Sequence, residues 1–237
     1  NNGVAFGLYT SAPSVYMFAI YNTGNIDTAG AVTLSSRVTL ATTTYAVPPS
    51  AGFSQKTTGG NCGTGGTYAK FDGGDERMGN VYYANGNLYG TFGVQGTSTR
   101  GDIRYVVVRP AISSGNVVTA TLLKDSTISS ATGVTLTRPS IAVASNGYGV
   151  INVLLTSSTM YLSIGVFALG TDNTVSSTYS IAFNGAGPYN EGSTGSTTSR
   201  LGDYTVACVT GDNTFYIAGE YVPSRSTCLS SSNRWGW

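Results

Sequence analysis

The sequence predicts an all-β fold, and three observations carry the prediction. Val, Ile, Thr, Tyr and Phe gather in short runs bounded by Gly, Asn, Asp and Ser. No window of about eleven residues or more keeps a helical stripe. A strand–turn–strand pattern returns at nearly constant spacing along the 237 residues.

Taken in order, the β-branched and aromatic runs predict strands at Val4 to Tyr9, Ser14 to Tyr21 and Ala31 to Leu40. The middle of the chain predicts six more, at Gly79 to Ala84, Asn87 to Val94, Ile103 to Arg109, Val117 to Leu123, Ser140 to Ala144 and Gly149 to Leu155. Four close the chain, at Met160 to Ala168, Tyr179 to Phe183, Tyr204 to Val209 and Thr214 to Tyr221. Asn85-Gly86, Asn146-Gly147 and Gly211-Asp212-Asn213 supply turn chemistry, because Gly and Asn tolerate the left-handed backbone that tight hairpins need. NCGTGG from Asn61 and EGSTGSTTS from Glu191 read as surface loops.

Three hairpins resemble one another: VYYANGNLYGTF, IAVASNGYGVINVLL and TVACVTGDNTFYIAGEY. Their turns at Asn85, Asn146 and Gly211 lie 61 (146 − 85) and 65 (211 − 146) residues apart. A repeat of that length holds four strands and predicts propeller blades, somewhat longer than the common period of about 40 to 50 residues. With a less clear first unit, the whole chain reads as one partial β-propeller of about four blades, near residues 1–50, 70–125, 138–185 and 199–237. About four blades leave edge strands exposed, so another chain, another copy or a further part of a precursor is expected to complete the ring.

Composition narrows function. Charged residues make up 10%, against roughly 25% in average soluble proteins, and Ser and Thr take the surface positions. That balance suits a secreted coat or matrix protein. The net charge of +1 and the scattered Lys and Arg offer no basic stripe for nucleic acid. No apolar run approaches the roughly 20 residues of a membrane span. With no His, a Ser-His-Asp triad is excluded. Asn1 reads as a processed end, and no Asn has Ser or Thr two places on, so N-glycosylation is not expected. Of three cysteines, Cys208 and Cys228 flank the last hairpin and are expected to bridge, leaving Cys62 free or bonded elsewhere; the alternative is three reduced, buried thiols.

PPSAGFSQ at Pro48 to Gln55, GGDERMGNVYYANGNLYG from Gly73, RPSIAV at Arg138, SRLGDYTVACVTGDNTFYIAGEY from Ser199 and a closing NRWGW lie in a telling order. In order and wording they resemble secreted β-propellers of the sialidase-like and Asp-box-like kind. The resemblance covers most of the chain and implies the later blades of a six- or seven-bladed ring. The chain departs from that pattern in lacking a complete Asp-box turn and in carrying Leu201 where the family has Trp beside the Gly-Asp-Tyr.

Glycoside hydrolysis uses two carboxylic acids, and a sialidase adds an arginine trio and a Tyr–Glu pair. Asp75, Glu76, Asp203 and Glu220 stand on the resembling segments, with Tyr204 and Tyr221 beside two of them. Asp75, Asp203, Glu220 and Tyr221 are therefore the catalytic candidates, set against structural work that each acid could do. Arg138, Arg200 and Asp203 are expected to tie a strand to a neighbouring loop by charge-assisted hydrogen bonds. Asp72, Asp75 and Glu76 on a Gly-rich bend could instead hold calcium, the one cofactor considered. Arg100-Gly101-Asp102 spells an adhesion tripeptide but reads as a turn. Trp235 and Trp237 at the end of the chain are expected to be packed, since free tails rarely expose tryptophan. The expected function is a secreted structural or adhesive propeller that forms a homo-oligomer or joins its precursor in a coat, matrix or filament. The alternatives are a carbohydrate-binding module whose tyrosines stack on glycans, and a sialidase-like glycosidase.

Overall fold

The computed structural model describes residues 3–49, 52–56, 70–113, 117–130, 133–188, 198–199 and 202–222. These residues are all-β, apart from one 3-10 turn at Thr23–Asn25. None forms a helix long and apolar enough to cross a membrane.

The first sheet is built on a hairpin of β1 (Val4–Ser11) and β2 (Ser14–Tyr21). Burial alternates residue by residue along β2, placing Val15, Met17 and Ala19 inward as a period-two strand requires. β3 (Thr33–Leu34) and β4 (Val38–Leu40) pair with opposite ends of β2. The sequence predicted one strand there, and Ser35 breaks it. Its hydroxyl accepts from the Ala19 amide at 2.9 Å, replacing a backbone partner, and then donates to the Ser36 carbonyl.

A small sheet joins β5 (Phe53–Ser54), β6 (Lys70–Phe71) and β15 (Thr198–Ser199), with β6 and β15 parallel. Two-residue strands leave no periodicity to read, and none of the three was predicted. The second sheet is a meander of β7 (Met78–Ala84), β8 (Asn87–Thr97), β9 (Arg100–Ile112) and β10 (Val118–Ile128). The third repeats that order with β11 (Thr135–Val143), β12 (Gly149–Ser157), β13 (Met160–Leu169) and β14 (Ser180–Phe183). The fourth pairs β16 (Val206–Val209) with β17 (Phe215–Ala218). Asn85-Gly86, Gly147 and Asp212 thus each join the first strand of a sheet to its second.

The sheets pack face to face in chain order. Leu8, Val15 and Met17 of the first meet Leu88, Phe92, Val106 and Val108 of the second. The opposite face of the second, with Tyr89, Ile103, Tyr105 and Val107, meets Ile141, Ile151, Val153 and Phe167 of the third. Leu154 and Ile164, on the far face of the third, pack with Phe53, Phe71 and Val222. Strands covered on both faces need no polar alternation, which is why β8, β9 and β12 are almost continuously buried.

Polar side chains lock neighbouring sheets at a recurring separation. Asn80 on β7 donates to the Ile141 carbonyl and accepts from the Ile141 amide, both at 2.8 Å. Asn152 on β12, fully buried, donates to the carbonyls of Val206 and Ala218 at 3.0 and 2.8 Å. These pairs are 61, 54 and 66 residues apart, close to the hairpin spacing in the sequence.

Arg100-Gly101-Asp102 is not a turn. It begins β9, the turn falling just before it, and Asp102 is buried with its carboxylate held by Arg100 at 3.0 Å and by the Ser129 hydroxyl at 2.6 Å. No adhesion tripeptide is presented.

Candidate functional site

β7, β11 and β16 begin around one cleft, lined by Gly73, Asp75, Arg77, Arg138, Asp203 and Thr205 among others. Local sequence explains the close approach. A Cβ at Gly79 would lie 2.3 Å from the Pro139 carbonyl oxygen, so only glycine lets β7 run this near to β11. Pro139 has no amide hydrogen to pair, and the β11–β12 register breaks between Thr137 and Ser140. Arg138, inside that irregularity, takes a left-handed φ of 47°.

The loop entering β7 is tied to the strand starts beside it. Arg138 Nη1 donates to the Asp72 carbonyl at 2.8 Å, and the Thr137 hydroxyl donates to the Gly73 carbonyl. Thr205, from the next sheet, donates to the Arg138 carbonyl at 2.6 Å and lies 2.9 Å from the Ser140 hydroxyl. Thr10, from the first sheet, donates to the Glu76 carbonyl at 2.5 Å. One threonine from each of three sheets thus caps a neighbour's carbonyl. Sequence reading missed that set, although Thr137 and Thr205 do recur near the repeat spacing.

Asp75, Arg138 and Asp203 are brought together here; Glu220 and Tyr221 do not line the cleft. Glu220 is buried and accepts from the Gly202 amide at 3.2 Å, while Tyr221 stacks on Phe183 with ring centres 5.7 Å apart. Asp75 pairs with Arg77 at 3.0 Å where both side chains meet solvent, an arrangement worth less than about 1 kcal/mol. The cleft measures about 60 Å³, room for a few waters, whereas small-molecule pockets run from about 300 to 1,000 Å³.

The bend considered for calcium is organised by its own acids. Asp72 accepts from the Gly74 amide and Asp75 from the Arg77 amide, both at 2.9 Å, so these carboxylates shape the bend. Among the described residues no three acidic, Cys or His side chains gather to hold a metal ion. Cys208 is exposed on β16 with no disulfide partner among the described residues. Arg200, Cys62, Cys228, Trp235 and Trp237 lie outside the described residues.

The perturbed titrations belong to the framework. Hydrogen bonds, chiefly from the Thr174 hydroxyl, hold the Asp172 carboxyl below its usual range, and the Thr210 hydroxyl does the same for Asp212. Both acids sit in matching turns, where their carboxylates accept the amide two residues on at 3.0 and 3.1 Å. Burial pushes the Tyr105 hydroxyl far up, and burial with the nearby Glu76 charge raises Tyr45 to about 12.

Comparison with protein-family models, with curated proteins and with solved structures finds no match.

Proposed function

We propose that the protein is a secreted structural or adhesive protein of propeller type, which assembles with further copies of itself into an extracellular coat, matrix or filament. The observation that carries this reading is the outer edge of the third sheet. Among the described residues β14 pairs with β13 on one side only, all four of its residues are exposed, and Ile181 and Phe183 stand 41% and 51% exposed. An exposed apolar edge is a template for pairing with another chain. Low charge supports the same reading, because lateral packing meets little repulsion. The propeller geometry is supported by consecutive four-stranded meanders stacked in chain order and locked at near-constant separations. In this reading a Cys208–Cys228 bridge would tie the segment after β17 back to β16.

Sedimentation velocity over a range of concentrations tests the proposal. Wild-type protein is expected to associate as concentration rises, and Ile181→Lys, which charges the edge, to abolish association while circular dichroism stays unchanged. A wild-type chain that remains a monomer throughout overturns the reading.

A carbohydrate-binding module is the second reading, favoured by a wider groove at the opposite ends of the same strands. The glycosidase reading is weaker, because the cleft holding Asp75 and Asp203 is far smaller than a sugar pocket.

A further inference from the structure

At the end away from the cleft, the hairpin turns of three sheets meet around a groove of about 350 Å³, lined by Tyr82, Tyr83, Asn85, Ser145, Thr210 and Gly211 together with Ala84, Val143 and Val209. We propose that this groove binds a neutral sugar residue of an extracellular glycan. The inference stands on the groove alone and does not depend on the assembly reading.

The size is the first argument, since the volume falls within the range of small-molecule sites and is several times that of the other cleft. The walls are the second. Tyr82 packs against the core between the second and third sheets and is a fixed wall, whereas Tyr83, next along β7, is 61% exposed. An exposed tyrosine ring on a strand offers a flat apolar face at little conformational cost, the surface on which the C–H face of a pyranose stacks.

Polar chemistry selects the class of ligand. Among the described residues no Asp, Glu, Lys or Arg lines the groove, so none of them compensates the charge of a phosphate, a sialic acid or a uronate. What lines it is amide and hydroxyl, matched to sugar hydroxyls that both donate and accept. Asn85 gives one N–H to the Ala144 carbonyl at 3.5 Å, the long limit of a hydrogen bond, and among the described residues its other donor and its oxygen are unengaged.

The rim is already assembled. Asn85 links the first turn to the second, and Ser145 donates to Asn213 Oδ1 at 3.0 Å, linking the second to the third. The third turn is closed internally by Thr210, whose amide donates to the Thr214 carbonyl at 3.0 Å and whose hydroxyl donates to Asp212. A groove held by bonds between three sheets loses little freedom on binding.

The experiment is titration of the wild-type chain with a panel of neutral hexose and N-acetylhexosamine oligosaccharides, alongside sialylated and uronate-bearing ones, followed by calorimetry and ligand-observed NMR. At least one neutral oligosaccharide is expected to bind at millimolar concentration or tighter, with acidic ones weaker. Tyr83→Ala should weaken that binding about tenfold, the equivalent of one lost aromatic stack, and Tyr83→Phe, which keeps the ring, should retain it within about threefold. Asn85→Gly, which suits the left-handed φ of 51° at that position, should weaken binding with the hairpin intact. Tyr216→Ala, at an exposed tyrosine outside the groove, is the control and should change nothing. Absence of binding across the neutral panel, preference for acidic glycans, or equal loss in Tyr83→Ala and Tyr216→Ala each overturns the proposal. None of these results bears on sedimentation, so the two proposals fail separately.

Discussion

Replacing Asp125 by Ala strips the partner from a guanidinium that is almost entirely buried. Arg104 on β9 meets Asp125 on β10 through two parallel bonds, Nε to Oδ1 at 2.8 Å and Nη2 to Oδ2 at 2.6 Å. Their side chains are only 4% and 11% exposed. Such a pair gains little net stability over an apolar pair, because burying both charges costs roughly what their attraction returns. Breaking it is different, since the remaining charge keeps the desolvation cost and loses the compensation, a change of about 3 to 5 kcal/mol. The Thr43 amide also loses its bond to Asp125 at 2.7 Å, but it lies at the surface, where water replaces the partner cheaply. The Tyr45 ring, 5.8 Å from the guanidinium, is too weak a partner to make good the loss. Urea unfolding followed by circular dichroism should therefore show Asp125→Ala losing about 3 to 5 kcal/mol at unchanged m, while Arg104→Met combined with Asp125→Leu falls within about 1 to 2 kcal/mol of wild type. A single variant within about 1 kcal/mol of wild type, or a double variant no better than the single, refutes the reasoning.

The Tyr105 hydroxyl is buried between the second and third sheets with no hydrogen-bond partner among the described residues, so Tyr105→Phe should leave stability unchanged or raise it by about 1 kcal/mol; a loss above about 1 kcal/mol in the same assay would show a hidden partner. Asp212 titrates below its ordinary value of 3.8 in the folded chain, so its contribution is complete above that pH and is lost as pH falls through the lowered value. The Tm of Asp212→Asn should accordingly lie below wild type near neutrality and converge with it in strong acid, and a gap that does not change with pH rejects the assignment.

Much of the framework was legible because it depends on neighbours in sequence. Asn85-Gly86 reads as a tight hairpin because both residues must take positive φ, and they do, at 51° and 76°. The apolar runs within β9 and β12 announce buried strands whatever covers them. β16 begins at Val206, two residues later than its composition suggests, because the Thr205 hydroxyl is bound to the neighbouring sheet and Tyr204 turns out to solvent. The break at Ser35 was equally hidden, since a hydroxyl takes a backbone role only once β2 lies beside it.

The sites divide in the same way. The β class, the hairpins and their recurring spacing are local properties of the chain, because propensity, turn chemistry and period two act over a few residues. It took the packed sheets to bring Asp75, Arg138 and Asp203 to one cleft without Glu220 and Tyr221, and to bring the β7 segment ending at Asn85 beside the turns of two other sheets. Those arrangements arise from face-to-face packing of segments some 60 residues apart, locked by asparagine and threonine side chains onto a neighbour's backbone. Such bonds carry no signature in either partner's own sequence, because a backbone carbonyl is the same at every residue.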